Sequence, residues 1–187
     1  ITIIRQTPLL LQLMFWYFVG FLGLKNNFIS FTNLFKINNQ GIELFGLFLT
    51  SEFSALIIGL SVFTSAFIGE VIRGGIVSVP KGQWESFRSL GLSESNGLIK
   101  VIMPQALPVI IPGLTSQYLN LAKNSTLAIA IGYSDIYAIN DTIINQTGRA
   151  IECFIILLLS FLMLNLLITN LMETINKLIN KKKIYSY

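Results

Sequence analysis

The residues that could do chemistry are few, and their types narrow what is open to them. The 187-residue chain has no histidine, and its one cysteine, Cys153, lies inside an apolar run. An intramolecular disulfide is therefore excluded, and a Cys/His metal site lacks its ligands. There is no glycine-rich loop carrying a phosphate-gripping lysine, no Ser/His/Asp set and no pair of carboxylates placed to share acid and base work. No catalytic residue and no metal site is expected. What remains are three polar groupings set in apolar sequence. They are Gln117, Asn120, Lys123, Asn124, Ser125 and Thr126; Glu70 with Arg73; and Trp84, Glu85, Phe87 and Gly91 in a polar insert that ends at Pro104.

Each grouping supports two readings. Glu70 and Arg73 stand three apart, close enough to pair on one helix face. They either close a helix end at headgroup level or, as the family resemblance given below implies, act as a gate or strut for the insert that follows. Lys123 sits inside an apolar segment, where a lysine costs on the order of 2.5–3.5 kcal/mol at the centre of a membrane helix. It either snorkels to the outer headgroups or belongs with its polar neighbours to a translocation path or a contact with an adjoining subunit. The Asn-x-Ser/Thr triplets at Asn124, Asn140 and Asn145 are read as chance in an Asn-rich sequence.

The elements that must position these groups are membrane helices. Hydrophobic residues make up 53% of the chain and charged residues 12%, about half the charged share of a water-soluble domain. A bilayer core takes about 20 apolar helical residues, and four segments qualify: 8–24, 53–72, 105–131 and 153–172. The stretch 25–52 has no clear period and is read as holding a short helix on the membrane surface. Lysines and arginines favour the cytoplasmic side. Arg5, Arg73, Lys81, Arg88, Lys100, Lys177 and Lys181 to Lys183 share one side, against Lys25, Lys36 and Arg149 on the other. The polar insert, within the loop 73–104, therefore faces the cytosol. The net charge of +4 reports this topology, not nucleic-acid binding. The chain opens on Ile1 with no recognisable signal peptide, and a missing N-terminal part is expected.

Within the insert, helical spacing over 82–90 puts Trp84, Phe87 and Leu90 on one side. Gly91 can end that helix in a left-handed cap, and Ser93 can start a second short helix through Glu94 and Leu98 to Val101. Pro104, Pro108 and Pro112 recur at intervals of four on one face of the next helix, where they favour bending. The expected object is a stiff elbow with an apolar-aromatic face, suited either to a groove on a partner or to anionic lipid headgroups.

The run "ESFRSLGLSESNGLIKVIMP" resembles the Glu-Ala-Ala cytoplasmic loop of ATP-binding-cassette (ABC) importer permeases. The matching positions are Glu85, Gly91 and Val101 to Pro104, with Ser86 and Phe87 where two alanines are usual and Met103 where leucine is usual. Four further stretches resemble the polar amino acid permeases: "RQTPLLLQLMFWYF", "SAFIGEVIRGGIVSVPKGQWE", "QYLNLAKNSTLAIAIGYSDI" and "NQTGRAIECFIILLLSFLMLNLLITNLM", the last similar to the subgroup importing general L-amino acids.

This resemblance implies an all-α integral membrane protein with the type I ABC importer (MetI-like) transmembrane fold, four spans being present of a five-span core. It implies a multi-pass permease subunit in the bacterial inner membrane. Its partners would be a cytosolic ABC ATPase subunit that binds the ATP, a second identical or homologous permease subunit, a periplasmic amino acid binding protein and the lipid bilayer. Trp84, Glu85, Phe87, Gly91 and Pro104 would form the ATPase-coupling elbow. Glu70, Arg73, Gln117, Asn120, Lys123, Asn124, Ser125 and Thr126 would line or gate the path. Two other readings stay open: a permease of this architecture for another small solute, and a channel or membrane anchor with no ATPase partner.

Overall fold

A computed structural model describes residues 1–23, 29–32, 35–38, 40–44 and 46–184. The chain is mostly helical. After α1 (Thr2–Gln6), α2 (Leu9–Met14) continues as π-helical turns over Phe15–Leu22. A sheet of four short strands follows: β1 (Ile29–Thr32), β2 (Phe35–Asn38), β3 (Gly41–Leu44) and β4 (Leu47–Thr50). The remaining elements are α3 (Ser51–Val77), α4 (Lys81–Ser89), α5 (Glu94–Gly97), a π segment (Leu98–Ile102), α6 (Met103–Asn124), a 3-10 segment (Ser125–Ile131), α7 (Ile136–Thr147) and α8 (Ala150–Ile184).

The sheet replaces the surface helix expected between 25 and 52, and with it the chain departs from an all-helical fold. The strands pair antiparallel in the order β1-β2-β3-β4, with Ile37 opposite Ile42 and Ile42 opposite Leu49. The reason is a period of two: Ile37 and Ile42 pack on the core, while Lys36 lies opposite Glu43 and pairs with it at 3.7 Å. Gly46 takes a positive φ of 83° at the turn before β4.

Among the described residues, three helices are long and apolar enough to cross a membrane: Ser51–Val77, Glu94–Ile131 and Ala150–Ile179. The first expected span appears instead as a shorter apolar helix, Leu9–Leu22. The second short helix expected in the insert is not a separate piece. It forms the opening turns of a 38-residue helical run from Glu94 to Ile131. Pro104 cannot donate to the Lys100 carbonyl and presses on it; the wider turns of the π segment just before give that ring room.

The residues group into two compact units, Ile1–Ala66 with Leu121–Leu162, and Phe67–Asn120 with Met163–Tyr187. In the first, Leu9, Leu13, Phe21, Ala55, Leu56, Leu60, Ala128 and Ile131 form the core. Gly59 admits Leu13 there, since a β-carbon at Gly59 would lie 2.6 Å from Leu13 Cδ2. In the second, Val79, Phe87, Ile102, Ala106 and Ile110 form a core flanked by Val71, Ile76, Trp84, Leu98, Val101 and Leu114. The polar insert therefore shares one apolar core with the end of α3 and the start of α6.

Candidate functional site

The insert is an elbow made of α4, a turn, and α5 with the π segment. Its turn is a Schellman close to α4: the Leu92 N–H donates to the Phe87 carbonyl at 3.2 Å and the Gly91 N–H to the Arg88 carbonyl at 3.0 Å. That geometry puts Gly91 at φ 72°, as expected from its place in the sequence. Ser93 caps α5 as expected, its hydroxyl accepting from the Asn96 N–H at 3.4 Å.

Side chains then lock the two limbs. Arg88 donates through Nε to Glu94 Oε1 at 2.7 Å and through Nη2 to Oε2 at 3.3 Å, a fork-on-carboxylate pair across the turn. The hydrogen bond from Glu94, with its charge adding, raises the Arg88 pKa further above its ordinary value. The same guanidinium lies over the Trp84 ring at 5.9 Å and the Phe87 ring at 5.7 Å. Gln105 on α6 donates to Gln83 on α4 at 3.2 Å.

The aromatic face expected on the outside is not there. Phe87 is 1% exposed and Trp84 is half-buried, both turned into the elbow's own core. What the elbow presents is Glu85, with Leu90 at 77% exposure and Ile99 at 63%. Helical spacing put Trp84, Phe87 and Leu90 on one side of α4, but it did not show that Leu90 lies beyond the helix end. Pro104 is exposed at the second position of α6.

The other groupings are placed as follows. Glu70 and Arg73 form an ion pair on α3, with Arg73 Nε at 3.0 Å from Glu70 Oε1. The pair does not close the helix, which continues to Val77. Gln117 (half-buried) and Asn120 (exposed) lie on α6 in one unit, while Lys123 to Thr126 lie in the other, so neither unit assembles the whole patch. Lys123 is exposed, the Ser125 hydroxyl donates to the Ala122 carbonyl at 2.9 Å, and the Thr126 hydroxyl donates to the Lys123 carbonyl at 2.8 Å. No group of three or more His, Cys, Asp or Glu able to hold a metal occurs among the described residues.

The sequence matches a family described as binding-protein-dependent transport system inner membrane component. That family matches residues 1–181. The chain belongs to it.

Relatives and a solved structure narrow the comparison. It is 53% identical over 133 residues to the putative amino-acid ABC transporter permease protein YhdX of Escherichia coli K12, a match covering 71% of this chain and 34% of that protein. To the general L-amino acid transport system permease protein AapQ of Rhizobium johnstonii it is 52% identical over 125 residues, covering 67% and 31%. The match thus spans about a third of the length of these relatives. The crystal structure of an amino acid ABC transporter with histidines superposes with a TM-score of 0.70 at 30% identity, covering 94% of this chain and 72% of that one. The fold is that of the transmembrane domain of a type I ABC importer, and the family is one of inner membrane components of transport systems.

Proposed function

We propose that the chain is the transmembrane permease subunit of an ATP-driven amino acid importer, carrying no catalytic residue itself. The observation that carries this reading is the elbow: two limbs locked at a glycine turn, an exposed carboxylate at Glu85, and a core shared with the ends of α3 and α6. A cytosolic ATPase subunit would bind ATP and grip Glu85, Leu90 and the turn at Gly91. Because Trp84 and Phe87 pack with Val71, Ile76, Ala106 and Ile110, displacing the elbow displaces both helix ends with it. ATP then acts only by favouring one state of the permease over another through this contact.

The names of the relatives and of the solved structure support amino acids as the cargo. A periplasmic binding protein would deliver them near the stretches 25–52 and 133–149. A second permease subunit, identical or homologous, would complete the path within the bacterial inner membrane. Gln117, Asn120 and Lys123 to Thr126 would line that path, with Glu70 and Arg73 acting as a strut at its cytosolic end.

The test is co-purification of the candidate ATPase subunit with the chain. Glu85 is exposed, so Glu85→Lys is expected to leave the amount of membrane-inserted protein unchanged while cutting the co-purified ATPase at least about fivefold. Undiminished recovery of the ATPase with Glu85→Lys would overturn the assignment of the elbow as its docking site.

A further inference from the structure

We propose that Phe87 is an internal wedge, seated in a slot that Gly97 leaves open, and that this pair sets the angle between α4 and the helix beginning at Glu94. Phe87 thereby becomes a positioning residue of the elbow and not a surface that a partner touches. For its consequence in coupling, the inference rests on the importer reading; for its geometry it does not.

The decisive contrast is between Gly91 and Gly97. Gly91 needs to be glycine for its backbone: its φ is 72°, and a β-carbon added there meets nothing within 4 Å. Gly97 has the opposite character. Its φ of −61° and ψ of −44° are ordinary helical values open to any residue. Glycine inside a helix is also about 1 kcal/mol worse than alanine, so backbone geometry gives no reason for it. Space does. A β-carbon on Gly97 would lie 2.6 Å from Phe87 Cγ and closer still to the ring edge. Gly97 is itself buried, and the ring continues into Ile102 and Ala106, both 0% exposed. The slot has no spare room for a methyl.

The surroundings make the wedge rigid. The Trp84 ring packs against Phe87 at 5.9 Å between centroids, tilted by 53°. Arg88 covers both rings from outside while its fork holds Glu94, the first residue of α5. One aromatic side chain from α4 thus fills the gap that the missing side chain of Gly97 leaves between the limbs, and a strap closes over it. A close-packed interior passes on displacement instead of absorbing it. A push on α4 reaches α6 through Phe87.

The experiment uses the intact subunit carrying Trp16→Phe, which leaves Trp84 as the sole fluorophore of the chain's two tryptophans. Four versions on this background are compared: the parent, Gly97→Ala, Phe87→Ala, and the double variant carrying both changes. Gly97→Ala in the presence of Phe87 is expected to raise quenching of Trp84 by acrylamide about twofold. The same change in the presence of Phe87→Ala is expected to leave it nearly unaltered, a non-additive pair. In complexes with the ATPase subunit and binding protein, Gly97→Ala should lower amino acid imported per ATP hydrolysed about fivefold, and the double variant should recover it to within about twofold. Additive effects on Trp84 would overturn the proposal. So would Phe87→Ala abolishing ATPase binding with Trp84 undisturbed, the signature of an outward contact. Should Gly97→Ala fail to accumulate, recovery of the double variant supports the wedge and equal failure overturns it. If the unmodified chain binds no ATPase, the importer reading fails, while quenching of Trp84 still decides the wedge.

Discussion

At Gly91 the backbone enters the left-handed region, φ 72°, where a side chain costs roughly 1–2 kcal/mol and asparagine less than a β-branched residue. The turn's two hydrogen bonds, from Leu92 and Gly91 back to Phe87 and Arg88, depend on that conformation. Amino acid imported per ATP hydrolysed is therefore expected to fall in the order Gly91, Gly91→Asn, Gly91→Val, with the protein still inserted normally. Equal coupling in all three would remove the turn from the mechanism. Gly91 was legible in the sequence because glycine after a short periodic stretch is itself a stop signal. Gly97 was not, because nothing in its own neighbours shows which ring lies opposite. For the same reason the inward turn of Phe87 was missed: spacing shows which residues share a face, not which way that face points.

Among the elements, the long apolar helices were the most legible, since runs of that length and composition have few alternatives. Their ends were less so. The helix through Glu70 and Arg73 runs on to Val77, and the one expected from residue 105 begins at Glu94. The prolines encouraged the later start, yet Pro104 sits just past π turns and Pro108 and Pro112 lie inside the helix. Neither interior proline can donate to the carbonyl four residues back. Pro108→Ala restores one such donor to Pro104, and it is expected to raise the melting temperature and to give residue 108 a slowly exchanging amide. Rapid exchange there, with no gain in stability, would show that the helix gives no bond at that position. The sheet was missed because its strands are four residues each, with Lys and Asn among the apolar positions of β2 and Gly and Glu among those of β3. The register, with Lys36 opposite Glu43 and Ile37 opposite Ile42, reveals the period of two.

For the whole molecule, composition alone separated a membrane chain from a soluble one, and the resemblance in the elbow and helices carried the family, which the match over residues 1–181 shows. The polar groups proposed to line the path were the least legible. A polar residue in an apolar helix marks a functional face only when its surroundings are known, and Gln117 to Thr126 divide between two units. On α8, Leu158 is 65% exposed and Leu166 53%, apolar surface that lipid or a second permease subunit would cover. The coupling role proposed for the elbow requires that it join an ATPase to α3 and α6. The most direct measurement is ATP hydrolysis in proteoliposomes holding the chain with the proposed ATPase subunit and a candidate binding protein, with and without L-amino acids. Amino acid and binding protein together are expected to stimulate hydrolysis, and Gly91→Val to break the link between hydrolysis and uptake. Hydrolysis indifferent to both, or uptake unaffected by Gly91→Val, would contradict that coupling role.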